Sequence, residues 1–193
     1  MKNIYLKISF FLIALSSWAV MVGCKPAAST VCHISGQMES NRWDGQYIYL
    51  VPMFGVQDAA HVDSAEIKDG KFEITVDTVE MKVIRVDYHF RDGAQELLVV
   101  SEPGNVNVTI GANSTSSGTP QNDSLQVWKD KLLEYNKAYS KLRMQARMEG
   151  SDNLLLTKGK EIQKAQREFN IAFAKRQPEG VFKNFLTKMY PSK

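Results

Sequence analysis

Apolar residues recur at every second position through most of Cys32 to Ile110, and at every third or fourth from Leu125 onward. The first period lines one face of a strand; the second draws a stripe along a helix. A chain whose period switches once in this way predicts strands and helices in separate blocks. The expected fold class is α+β by segregation: an N-terminal antiparallel β-sandwich of about seven strands, then a C-terminal helical hairpin and a short third helix.

The strand block, 31–110, is punctuated by turn residues. Cys32, Ile34, Gly36 and Met38 alternate with polar neighbours, and Gln46 to Val51 is rich in Tyr and aliphatic residues. Asp69-Gly70 predicts a hairpin between strands near 61–68 and 71–77, since a type I′ turn needs φ > 0 at both central positions. Phe72, Ile74 and Val76 then alternate with Lys71, Glu73 and Thr75. Lys82 to Phe90 predicts one strand. Leu97-Leu98-Val99-Val100 predicts another, buried on both faces, and Val106, Val108 and Ile110 the last.

Gly111 to Gln121 is rich in Gly, Ser, Thr and Asn and predicts a linker. Asn122 or Asp123 is the expected N-cap of a helix whose stripe is Leu125, Trp128, Leu132, Tyr135, Tyr139, Leu142 and Ala146, closed by Gly150. Ser151 or Asp152 starts a second helix, with Leu155, Ile162, Ala165, Phe169, Ala172 and Phe173 on its stripe. Gly159 weakens that helix by about 1 kcal/mol relative to Ala. Pro178 is placed to open a third helix. The helical region thus runs 122–190.

Charge follows the same division. Residues 24–120 carry 7 Lys/Arg against 13 Asp/Glu, net −6, and residues 121–193 carry 15 against 8, net +7. The first expectation is that the basic residues form solvated helix faces; the alternatives are attraction between the two halves when docked, or a basic half facing an anionic surface. The basic helices lack aromatics on their polar faces, so a nucleic-acid partner is not expected.

The N-terminus reads as an address. Lys2 and Lys7 precede the apolar run Ile8 to Val22, which is short for a membrane span and suited to a signal peptide, 1–23. Met21-Val22-Gly23-Cys24 resembles a bacterial lipobox, which implies cleavage before Cys24 and lipid attachment to its thiol. Residues 24–30 then form a short tether. With Cys24 acylated, Cys32 has no intramolecular partner; its parity with Ile34 predicts a buried thiol.

His33, His61 and His89 lack metal-ligand spacing, so neither a metal nor a cofactor is expected. No P-loop, dinucleotide fingerprint or nucleophile elbow occurs. Asp63/Glu66 is an acid pair without a required separation, and Trp43, Tyr47 and Tyr49 are aromatics whose first reading is core. No catalytic residue is assigned. The only site residue assigned is Cys24, for lipid attachment.

Gly36, Tyr49-Leu50, Asp63-Ser64-Ala65, Asp69-Gly70-Lys71-Phe72, Glu102-Pro103-Gly104, Gly118-Thr119 and Asn122, in that order, resemble the DUF4369 family across about residues 30–125. The resemblance implies a lipid-anchored or secreted protein of the Bacteroidetes, in which this domain commonly precedes a thioredoxin-like domain. Lys193 is not followed here by such a domain or its Cys pair, so the resemblance brings no redox activity with it. The expected function is a non-enzymatic, membrane-anchored lipoprotein of the bacterial cell envelope that binds a partner. The alternative is an accessory domain docking to a thioredoxin-like thiol-disulfide oxidoreductase in trans.

Overall fold

The computed structural model describes residues 30–90 and 92–192; residues 1–29, including the signal segment, Cys24 and most of the tether, lie outside them. Among the described residues eight strands precede three helices. The strands are β1 (Cys32–Met38), β2 (Tyr47–Pro52), β3 (Asp63–Glu66), β4 (Lys71–Val76), β5 (Met81–Val86), β6 (Leu97–Val100), β7 (Gly104–Ile110) and β8 (Thr115–Ser117). The helices are α1 (Pro120–Glu149), α2 (Asp152–Arg176) and α3 (Val181–Met189).

Two open four-stranded sheets, ordered β4-β1-β7-β8 and β3-β2-β5-β6, face each other. Their inner faces share one apolar core: Ile34, Ile74 and Val106 from the first sheet meet Ile48, Ile84, Leu97 and Val99 from the second. The alternation along β1 and β4 is that of strands buried on one face. Gly36 lies opposite Phe72 in the register, and the Phe72 ring occupies the space over the glycine. A Cβ on Gly36 would stand 2.0 Å from that ring, so the missing side chain of one strand is supplied by its neighbour.

β6 divides the interior. Leu97 and Val99 belong to the sandwich core, while Val100, with Leu98 packed beside it, belongs to a second core under the helices. The doubly buried strand expected at this run is present. Trp128 of α1 anchors the second core, edge-on to Phe182 and Phe185 at centroid distances of 6.0 Å. Its indole N–H donates to the Asn170 side chain at 2.8 Å, which satisfies both buried polar groups.

Several local expectations are corrected. Asp69 and Gly70 do take φ of 52° and 69°, as the turn signal requires. Yet β3 and β4 do not pair as a hairpin: they lie in different sheets, joined only by the Lys68–Lys71 bridge. Ile67 exchanges backbone hydrogen bonds with the loop before β2, through Gln46 and Gly45, whereas Gly70 accepts from Met38 of β1. The tight turn is a corner between sheets. The sandwich is also not wholly antiparallel, because β1 and β7 run parallel. The expected 111–121 linker contains β8 and the start of α1. Pro120 is the first helical residue and Thr119 the cap position, so neither Asn122 nor Asp123 is the N-cap. The strand expected to reach Phe90 ends at Val86, and Tyr88–Phe90 is a single 3₁₀ turn. Gly180, not Pro178, borders α3.

Asn122 carries the junction between the halves. It is fully buried; its Oδ1 accepts from Val100 N at 2.9 Å and its Nδ2 donates to Val100 O at 2.8 Å and to Thr119 Oγ1 at 2.8 Å. We predict that Asn122→Leu lowers stability by about 2–4 kcal/mol, because both Val100 backbone groups lose their partner in the interior. Urea denaturation checks this; an unchanged midpoint would show that the clamp is dispensable.

Candidate functional site

The residues singled out from the sequence do not converge. Cys24 lies outside the described residues. Cys32 is buried where β1 begins, and burial, reinforced by the Glu102 carboxylate, pushes its thiol up to about 11. A buried thiol held protonated is a poor nucleophile. His33 is exposed on β1 beside Thr75, His61 pairs with Asp58, and His89 lies in the 3₁₀ turn. Trp43 is core, its indole N–H donating to Phe90 O at 2.7 Å. Tyr47 and Tyr49 instead turn away from the core, and Tyr47 is half exposed. Tyr49 lines a shallow depression of about 350 Å³ with Val62, Arg85 and Asp87. The acid pair is split: Asp63 faces Lys82 and Glu66 pairs with Lys68.

A buried cluster of charge was not assigned from the sequence. Lys82 of β5 is a buried cation, its side chain only 3% exposed. Its Nζ lies 3.1 Å from Glu80 and 3.7 Å from Asp63. A signal for it existed, since Lys82 shares the parity of the inward-facing Ile84 and Val86. It sits where the apolar face reaches the end of the sandwich, and two carboxylates replace the water the ammonium gives up. The cluster borders an open cleft of about 450 Å³ that includes Val31, His61, Thr75, Asp77 and Thr78. Both carboxylates remain partly exposed, so the arrangement works as a plug for the open end of the core. Among the described residues no group of three or more His, Cys, Asp or Glu is placed to hold a metal ion.

The opposite end of the molecule carries the other distinctive surface. α1 begins beside Glu102, near the start of β1, and runs along the sandwich until the Lys129 amine donates to Ser114 O. It then continues past the strands with α2 as its companion. Burial holds the Lys129 amine below its usual range.

Residues 32–125 match the family model described as "Domain of unknown function (DUF4369)", and this part of the chain belongs to that family. The matched segment opens at the first residue of β1 and closes in the second turn of α1, three residues after Asn122. No curated protein matches the chain.

The Cys32 thiol gives a pH signature. Its folded pKa lies above the ordinary 9.0, so the stability it contributes is complete below that value and is lost as pH rises toward about 11. In a Cys24→Ser background, denaturation midpoints should fall over this window and fall less steeply in Cys32→Ala. Equal slopes would contradict the assignment. Thiol reagents should label Cys32 only after unfolding.

Proposed function

We propose that this protein is a non-enzymatic, lipid-anchored binding module of the bacterial cell envelope. The observation that carries the reading is the N-terminal pattern: a basic start, the apolar run Ile8 to Val22, then Gly23-Cys24 and a tether that reaches β1 within a few residues. A diacylated Cys24 would hold the chain stably, since each buried CH₂ contributes about 0.8 kcal/mol and two chains suffice where one is marginal. No helix among the described residues is long and apolar enough to cross a membrane, so the anchor would rest on that terminus.

The accessory reading, docking in trans to a thioredoxin-like oxidoreductase, draws on the DUF4369 membership. Burial of Cys32 and its raised pKa limit that reading to surface docking without thiol exchange.

Cys24→Ala tests the anchor. The variant should leave the membrane fraction and fail to incorporate labelled palmitate. If it stays membrane-bound as firmly as the wild type, the lipoprotein reading fails.

A further inference from the structure

The distal half of the α1–α2 hairpin projects beyond the rest of the fold. Its last ring contact on the way out is Tyr135 against Phe169, at 6.0 Å. From Tyr135 to Gly150 the helix advances roughly 22 Å, at about 1.5 Å per residue. α1 enters at the Val31 end of the sandwich and leaves at the Ser114 end, so this tip points away from the place where the tether joins.

Gly159 shapes the tip. It is buried against α1, and a Cβ there would stand 3.2 Å from Tyr139 Cε2. The helices therefore approach closely, and beside the contact lies an open groove of about 400 Å³ lined by Tyr139, Leu155, Leu156, Gly159, Lys160 and Gln163. Leu156 is 59% exposed within it. Arg143 is exposed and lies one turn beyond Tyr139, on the same side of α1.

The charge is one-sided. Residues 136–164 carry seven Lys/Arg and three Asp/Glu, net +4. Among the described residues Lys137, Lys141, Arg143, Arg147, Lys158 and Lys160 form no ion pair, and all are exposed. Lys68, Lys82, Lys131, Lys164 and Lys183, by contrast, each stand beside a carboxylate. Six exposed cations without an ion pair thus share the hairpin tip with this groove, and Lys160 lines it.

We propose that this groove docks an acidic amphipathic helix of a partner protein. An aliphatic side chain of that helix sits over Gly159 between Tyr139 and Leu156, and its carboxylates meet Arg143 and Lys160. A second hairpin of the same chain would bring two net-positive tips together. An anionic bilayer fits less well, because the main apolar stripe of each helix is spent on the other and none is left to enter lipid. The proposal deepens the binding-module reading and does not depend on Cys24, so it stands or falls separately from the anchor.

The test uses the full chain and a fluorescent synthetic helix of glutamate and leucine, with leucines at i, i+3, i+4 and i+7. A scrambled peptide of the same composition and phosphatidylglycerol vesicles serve as the other probes. The patterned helix should bind about tenfold or more tightly than the scramble, and Arg143→Glu/Lys160→Glu should remove that preference. Leu156→Asp should do the same, with circular dichroism confirming that each variant stays helical. Equal binding of both peptides, no effect of the substitutions, or vesicle binding lost in Arg143→Glu/Lys160→Glu without any peptide preference would each overturn the proposal.

Discussion

The fold depends on how the open edge of β6 is closed. A strand edge presents N–H and C=O groups that must be paired once helices cover it. Among the described residues no ninth strand does so. The Asn122 carboxamide takes the strand's place, accepting from Val100 N and donating to Val100 O. A primary amide has a donor and an acceptor side by side, as a peptide group does, so it reproduces one rung of a ladder. Because Asn122 lies in the first turn of α1, that rung also fixes where the helix starts. Glu102 completes the joint: its carboxylate accepts from Gln121 N at 2.6 Å and from Gln121 Nε2 at 2.9 Å, placing negative charge at the helix N-terminus. Gln121 Oε1 in turn accepts from Phe182 N at the start of α3. Three helix and strand ends are thereby tied through two side chains.

That joint explains why the family segment ends inside a helix. A boundary drawn from periodicity falls at the linker, near residue 111 or 122. The physical unit ends later, because the sandwich is incomplete without the amide that closes β6. Of the residues that carried the family resemblance, Glu102, Gly104, Gly118, Thr119 and Asn122 gather at this seam. Gly104 has a φ of 128° and packs under Thr119, and Gly118 has a φ of 104° with Asn105 O where a Cβ would be. Both are positions where backbone passes too close for a side chain. These five recognisable residues serve the joint between sheet edge and helix start.

Block structure was legible in the sequence because burial imposes period on every long element. β4 alternates without exception, and the α1 stripe from Leu125 to Ala146 is buried or half-buried throughout. Pairing was less legible. Asp69-Gly70 specifies a turn, and the turn formed, but a two-residue turn does not state which strands pair beyond it. That was decided by Gln46 and Gly45 pulling Ile67 one way and Met38 pulling Gly70 the other. β8 was invisible because three residues of Thr and Ser carry no apolar alternation; it exists because β7 offers an edge. Lys82 was missed because a lone lysine in a strand looks like an exposed residue until its parity is compared with Ile84 and Val86. Gly159 looked like a weak point in a helix, and its cost is offset by the close helix contact it allows.

The same accounting separates the two ends of the molecule. At the end where the tether joins, charge is neutralised locally: Lys82 has Glu80 and Asp63, and Glu102 has the N-terminus of α1. These groups are held by packing, and moving any of them would uncover the core. At the far end, the hairpin is stabilised by a narrow stripe whose buried members include Leu142, Ala146 and Gly159, and its cations hold nothing in place. Unpaired exposed charge contributes little to folding and repels its neighbours slightly. Stability therefore gives no reason for so many lysines and arginines beside an open apolar groove, whereas recognition of a complementary surface does.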